Sequence, residues 1–129
     1  MGAIRKVEGK RNAAVVARIP VTVEPGFHVN SNAPSEDYLI PLKVAWTSKG
    51  ALEGGDVVYP RASSEKYEFS DKPLSVFTGS FEIAANFKVA AGAPAGPGMA
   101  AGKLSYQACN ARMCFPPAKV DISVPYQVD

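Results

Sequence analysis

Long apolar runs are missing from this chain, and with them a whole class of architectures. No stretch approaches the roughly twenty apolar residues that cross a bilayer as a helix, and Met1-Gly2-Ala3-Ile4 does not open a secretory signal. The chain as given is therefore expected to be soluble. Residues 1–12 read as an added or loosely ordered start, compatible with an export signal or a membrane region lying outside the sequence. Charge of one sign is also scarce: 14 Lys and Arg stand against 12 Asp and Glu, a formal +2. The basic residues are scattered, which excludes a nucleic-acid footprint and an anionic-membrane patch. Histidine is reduced to His28. A blue-copper site would want two, and a zinc site would have to combine both cysteines and His28 with an unremarkable Asp or Glu. Cysteine itself is down to two residues, too few for a disulfide framework. At 129 residues none is needed, because one domain of this size buries about two-thirds of its unfolded surface.

Helical periodicity is absent too, and what replaces it is alternation. Val15, Ala17, Ile19, Val21 and Val23 face one way from 13 to 24, opposite Arg18, Thr22 and Glu24, the pattern of a half-buried strand. Pro20 cannot donate to a ladder, which predicts an edge position or a bulge. After the Glu24-Pro25-Gly26 turn comes a short segment, Phe27 to Asn30. Tyr38, Ile40, Leu42, Val44 and Trp46 predict a core strand. Gly50 to Gly55 predicts a turn, Val57-Val58-Tyr59 a short strand stopped by Pro60, and Tyr67 with Phe69 another. Phe81, Ile83, Ala85, Phe87 and Val89 alternate cleanly, as do Leu104, Tyr106 and Ala108, and later Val120, Ile122, Val124, Tyr126 and Val128. Between them, residues 90–102 are rich in Ala, Gly and Pro; Pro94 and Pro97 forbid a helix, and a flexible loop is expected. With 47% hydrophobic and 20% charged residues, the chain predicts a single all-β domain, an immunoglobulin-like antiparallel β-sandwich.

The chemistry is concentrated in Tyr106-Gln107-Ala108-Cys109-Asn110-Ala111-Arg112-Met113-Cys114-Phe115-Pro116-Pro117. If the chain turns back on itself, the two cysteines come within disulfide range. A bridge closing so short a loop stabilises by about 2 kcal/mol, against about 4 for one spanning some sixty residues. It also lacks the long spacing of an antibody-type inter-sheet bridge. A bridge that adds little stability and lies in a turn fits a reactive pair, while a passive staple remains the other reading. Arg112 would favour a thiolate, the species that attacks and leaves in disulfide exchange. Pro116 and Pro117 stiffen the chain beyond Cys114 and restrict Phe115, making a rail on which a partner's loop could dock.

These residues carry a resemblance. Tyr106-Gln107-Ala108-Cys109 followed by Cys114-Phe115-Pro116-Pro117 is similar to the Tyr-Gln-x-Cys…Cys-x-Pro-Pro signature of the N-terminal periplasmic domain of DsbD, the transmembrane thiol:disulfide interchange protein. Gly26 to Asn32 and Tyr38-Leu39-Ile40-Pro41 resemble that family's early strands, so the likeness runs from about residue 13 to 128. It implies an immunoglobulin-like fold and a relay of reducing equivalents. These would pass from a membrane-linked thioredoxin-like donor to periplasmic disulfide isomerases and cytochrome c maturation proteins, with no cofactor. It also implies that Cys114 forms the mixed disulfide with partners and Cys109 resolves it. The family's cap loop, whose Phe lies over the disulfide, corresponds to Val76-Phe77-Thr78-Gly79, making Phe77 the cap. Tyr106, Arg112 and Phe115 would line the site. The best-known members have five residues between the cysteines where this chain has four, and His28 and Asn30 stand where they carry tyrosines. His28 is a candidate for proton transfer. The alternative is a noncatalytic extracytoplasmic immunoglobulin-like binding or assembly module with a structural disulfide.

Overall fold

The structure, a computed structural model, describes residues 4–34, 39–67 and 72–129. Tyr38 and Phe69, both expected in strands, lie outside the described residues. In chain order the strands are β1 (Val7–Gly9), β2 (Ala14–Thr22), β3 (His28–Asn30), β4 (Lys43–Ser48), β5 (Leu52–Val58) and β6 (Ser63–Glu65). Then follow β7 (Leu74–Phe77), β8 (Ser80–Val89), β9 (Gly96–Tyr106), β10 (Ala108–Cys109) and β11 (Ala118–Val128), with no helix among the described residues.

Two sheets, β1-β11-β9-β4 and β2-β8-β5, face one another as an immunoglobulin-like sandwich. All pairings are antiparallel except that of β1 with β11. The alternating faces meet in the middle. Val15 and Ala17 of β2 and Phe87 of β8 pack with Val124 and Val128 of β11 at one end. Towards the other end Ile19, Ile83, Leu104 and Ile122 form a second cluster. Pro20 does sit on an edge strand, since among the described residues β2 has β8 as its one ladder partner. A third sheet, β10-β3-β7-β6, contributes Val29 and Phe77 to that second cluster. It carries the cysteine hairpin.

Several sequence expectations are corrected. Residues 90–102 are not one flexible loop: β9 begins at Gly96 and pairs along its full length with β11, from Gly96 opposite Val128 to Tyr106 opposite Ala118. The small residues serve packing here. The Tyr126 ring lies across Gly98, where a Cβ would collide with it, so the low side-chain content that looked like a linker makes room for a neighbouring aromatic. Within the N-terminal stretch, residues 7–9 are likewise incorporated, with Val7 buried and paired to Tyr126. The expected Gly50–Gly55 turn is confined to its start, because β5 runs through Gly54 and Gly55 on a bulge with φ of 83° and 96°. Trp46 Nε1 donates to the Gly55 carbonyl at 3.0 Å, and only glycine combines that φ with so close an indole. The core strand expected from residue 38 starts only at Lys43. Pro41 has no N–H to give, and Ile40 is tied down by side chains instead. Tyr67 follows β6 without belonging to it, and β7 is a strand that alternation did not reveal.

Candidate functional site

The cysteine hairpin is built from local hydrogen bonds. Asn110 N–H donates to the Met113 carbonyl at 2.9 Å, and Phe115 N–H donates to that of Ala108 at 2.9 Å. These bonds flank Cys109 and Cys114, which therefore oppose each other as a non-hydrogen-bonded antiparallel pair, the kind in which Cα atoms approach most closely. Their Cα atoms are 3.9 Å apart and the sulfurs are bonded at 2.01 Å. The Asn110 side chain closes the turn, its Oδ1 accepting from the backbone N–H of Arg112 and of Met113, both at 2.9 Å. This is the Asx geometry that favours asparagine at such a position. Four intervening residues suffice for a tight turn closed by these hydrogen bonds.

The two sulfurs sit in different surroundings. Cys109 is 0% exposed, whereas Cys114 is only half-buried. Around Cys114 the surface is apolar: Met113 is 53% and Phe115 37% exposed, Pro116 and Pro117 are exposed, and Phe115 packs its ring 6.0 Å from that of Phe27. Arg112 is exposed in the turn.

Behind the bridge, strand pairing sets which side chains share its face. Cys109 stands opposite His28, and Ala108 opposite Val29; Val29 in turn faces Phe77, and Asn30 faces Val76. Side chains alternate along a strand, so Cys109, His28, Asn30, Val76 and Leu74 lie on one face, and Ala108, Val29 and Phe77 on the other. The first face holds a small cluster of Leu39, Leu74 and Val76 with Tyr67 against it. His28, 1% exposed, stacks its ring on Tyr67 at 4.0 Å and 11°. Burial pushes the His28 pKa down. It pushes the Tyr67 phenol up, with the negative charge of Glu65 adding to that shift. Both rings are neutral near pH 7.

Of the residues singled out from sequence, Cys109, Cys114, His28 and Asn30 are gathered here, with Arg112 and Phe115 at the rim. Phe77 is not brought over the bridge. It is 4% exposed, its ring is 4.8 Å from that of Phe81, and it belongs to the sandwich core. Tyr106 also faces the core side, packing against the same cluster as Ala108. With Val21, Val23, Phe27, Leu42 and Val120 it lines a half-open cavity of about 340 Å³.

One residue missed as a site component is Gln107. Its Oε1 accepts from Asn30 Nδ2 and from the Ile40 N–H, both at 3.2 Å. Its Nε2 donates to the Phe115 carbonyl at 3.3 Å. Asn30 Nδ2 also donates to the Ile40 carbonyl at 3.0 Å. One amide thus ties the chain leaving Cys114 to β3 and to the segment before β4. The signal was present, since Gln107 precedes Cys109 by two residues and so shares its face. Tyr67 offered no such signal, because only folding places it beside His28. Both cysteine sulfurs are committed to the bridge, and no group of three or more His, Cys, Asp or Glu positioned to hold a metal occurs among the described residues.

The family model for the N-terminal domain of the thiol:disulfide interchange protein DsbD matches residues 4–125. No curated protein matches the chain. Among solved structures, the N-terminal periplasmic domain of ScsB from Proteus mirabilis is similar with a TM-score of 0.61 and 14% identity, over 95% of this chain and 44% of that one. The chain thus spans less than half the length of that relative. The Neisseria meningitidis DsbD N-terminal domain in its reduced form gives a TM-score of 0.49 and 18% identity, over 92% of this chain and 84% of that one. At such identities the likeness to the ScsB domain is one of fold.

Proposed function

Because the chain belongs to the DsbD N-terminal domain family, we propose that it is a periplasmic relay passing reducing equivalents by thiol–disulfide exchange through Cys109 and Cys114. The observation that carries this reading is the asymmetry of the pair: a half-buried Cys114 on an apolar rim, bonded to a fully buried Cys109. An incoming thiolate attacks along the S–S axis and needs access to one sulfur only. Cys114 meets that need. A donor thiolate attacks Cys114 Sγ, the S–S bond breaks, and Cys109 leaves as a thiolate and takes up a proton. The donor's second thiol then attacks the mixed disulfide, leaving Cys114 reduced and the donor oxidised. In the onward step Cys114 attacks the acceptor's disulfide, and Cys109 attacks Cys114 to release the acceptor as a dithiol. Two electrons and two protons move in each half, and no cofactor is required.

The donor in this reading is a thioredoxin-like domain of a membrane-linked pathway. The acceptors are thioredoxin-fold proteins such as disulfide isomerases and cytochrome c maturation factors. Their extended active-site loops suit the exposed Phe115-Pro116-Pro117 rail, and Arg112 in the turn favours the Cys114 thiolate. Equilibration of the oxidised protein with a reduced thioredoxin-like domain tests the proposal. Rapid transfer with a potential in the range of other exchange proteins is expected. A potential below about −300 mV, typical of structural bridges, would instead identify a passive staple in a binding module.

A further inference from the structure

Thiol exchange at this site asks a proton to leave and rejoin a sulfur that water does not reach. Cys109 is 0% exposed, and burial in apolar surroundings disfavours a thiolate. The hairpin's cation, Arg112, is exposed in the turn, where solvent weakens its field. Directly across the ladder from Cys109 stands His28, the single histidine of the chain, itself 1% exposed. Directly opposed residues of an antiparallel pair hold their Cβ atoms about 4.5–5.5 Å apart on the same face, within reach of an imidazole and a thiol. The ring is fixed by its stack on Tyr67 at 4.0 Å. Strand β3 is pinned two residues later by the Asn30 and Gln107 amides.

We propose that His28 is the proton acceptor and donor for Cys109, taking its thiol proton as Cys109 attacks Cys114 and returning it when Cys109 departs. The inference rests on the relay reading above and adds to it the group that makes a buried sulfur usable. In the resolving step the Cys109 S–H proton passes to a ring nitrogen of neutral His28 while the Cys109 sulfur bonds to Cys114 Sγ. The partner's sulfur leaves with the electron pair of the mixed disulfide and is protonated by solvent. The imidazolium then gives up its proton to water as the partner departs. In the reverse direction, His28 first takes a proton from water, and the imidazolium gives it to Cys109 as the bridge opens. The lowered His28 pKa agrees with this, since the ring starts neutral and one of its nitrogens is then an acceptor. Among the described residues the titratable groups on this side are Tyr67, with exposed Glu65 and Lys66 just before it. Strand β7 contributes apolar Leu74 and Val76, and the segment before β4 contributes Leu39.

The test uses the reduced protein and dithiobis(nitrobenzoate), which needs no physiological partner. A first thionitrobenzoate is released on capture by Cys114, and a second as Cys109 closes the bridge. In His28→Gln the second release is expected to slow about a hundredfold near neutral pH, the low end of general acid–base effects. That deficit should shrink as the pH rises towards ionisation of the thiol itself. An equal second rate, or a deficit that does not vary with pH, overturns the proposal while leaving the relay intact. Failure of the wild type to capture the reagent at Cys114 overturns the relay reading along with it. A second measurement does not depend on the variant's folding. In Cys114→Ser, the His28 imidazole resonances should shift in step with thiolate absorbance as Cys109 ionises, and resonances that stay fixed through that transition likewise overturn the assignment.

Discussion

Cys109 and Cys114 oppose each other across 3.9 Å between Cα atoms, yet the first is fully buried and the second half-exposed. The hairpin presents one sulfur outward and holds the other behind it on the His28 face of the third sheet.

Single-cysteine variants should divide along that line. Cys109→Ser, which keeps the outward sulfur, is expected to accumulate mixed disulfides with a thioredoxin-like donor. Cys114→Ser should accumulate few or none. Gel-shift trapping under non-reducing conditions checks this, and the opposite pattern would reverse the two roles.

Asn110 holds the turn closed through two backbone donors, so Asn110→Ala should loosen the ring and lower the effective concentration of one thiol at the other. A net loss of about 1 kcal/mol, the usual worth of a hydrogen bond, corresponds to a potential less negative by about 20 mV. Equilibration against a glutathione couple measures it.

Phe77 packs into the sandwich core opposite Val29, on the other face of its sheet from Cys109. Phe77→Ala is therefore expected to cost about 3–5 kcal/mol of stability, as large aromatic truncations in cores do. Below its melting range the variant should be reduced by a small thiol at close to the wild-type rate. A pronounced acceleration in the folded variant would restore Phe77 as a lid over the bridge.

His28 also makes stability depend on pH. An unfolded histidine takes up its proton near pH 6.5, while the buried ring does so only at lower pH. Below 6.5 the unfolded chain thus binds more protons, and stability falls as the pH drops. Melting curves of the oxidised protein between pH 7 and 5 should fall more steeply for the wild type than for His28→Gln, by at most about 1.4 kcal/mol per pH unit. Parallel curves would mean that His28 is not held neutral by burial.

The alternating segments of β2, β8 and β11, the edge placement of Pro20 and the closed cysteine turn follow from the sequence, because each depends on pleat periodicity, a missing N–H or contacts a few residues apart. The fold class was legible for the same reason, and the likeness to the family from the motif residues around the two cysteines. Strand β9 was not, since its run of Gly, Ala and Pro makes sense only once Tyr126 is known to lie across Gly98. Nor was the side to which Phe77 turns, which is set by its register opposite Val29. Gln107 acquires its role from two segments that reach it across 67 and 77 residues of chain. His28 likewise gains its place beside Cys109 and Tyr67 from pairings that no local pattern specifies. Periodicity dictates which residues share a face; only the pairing of distant strands decides which faces, and which reactive groups, are brought together.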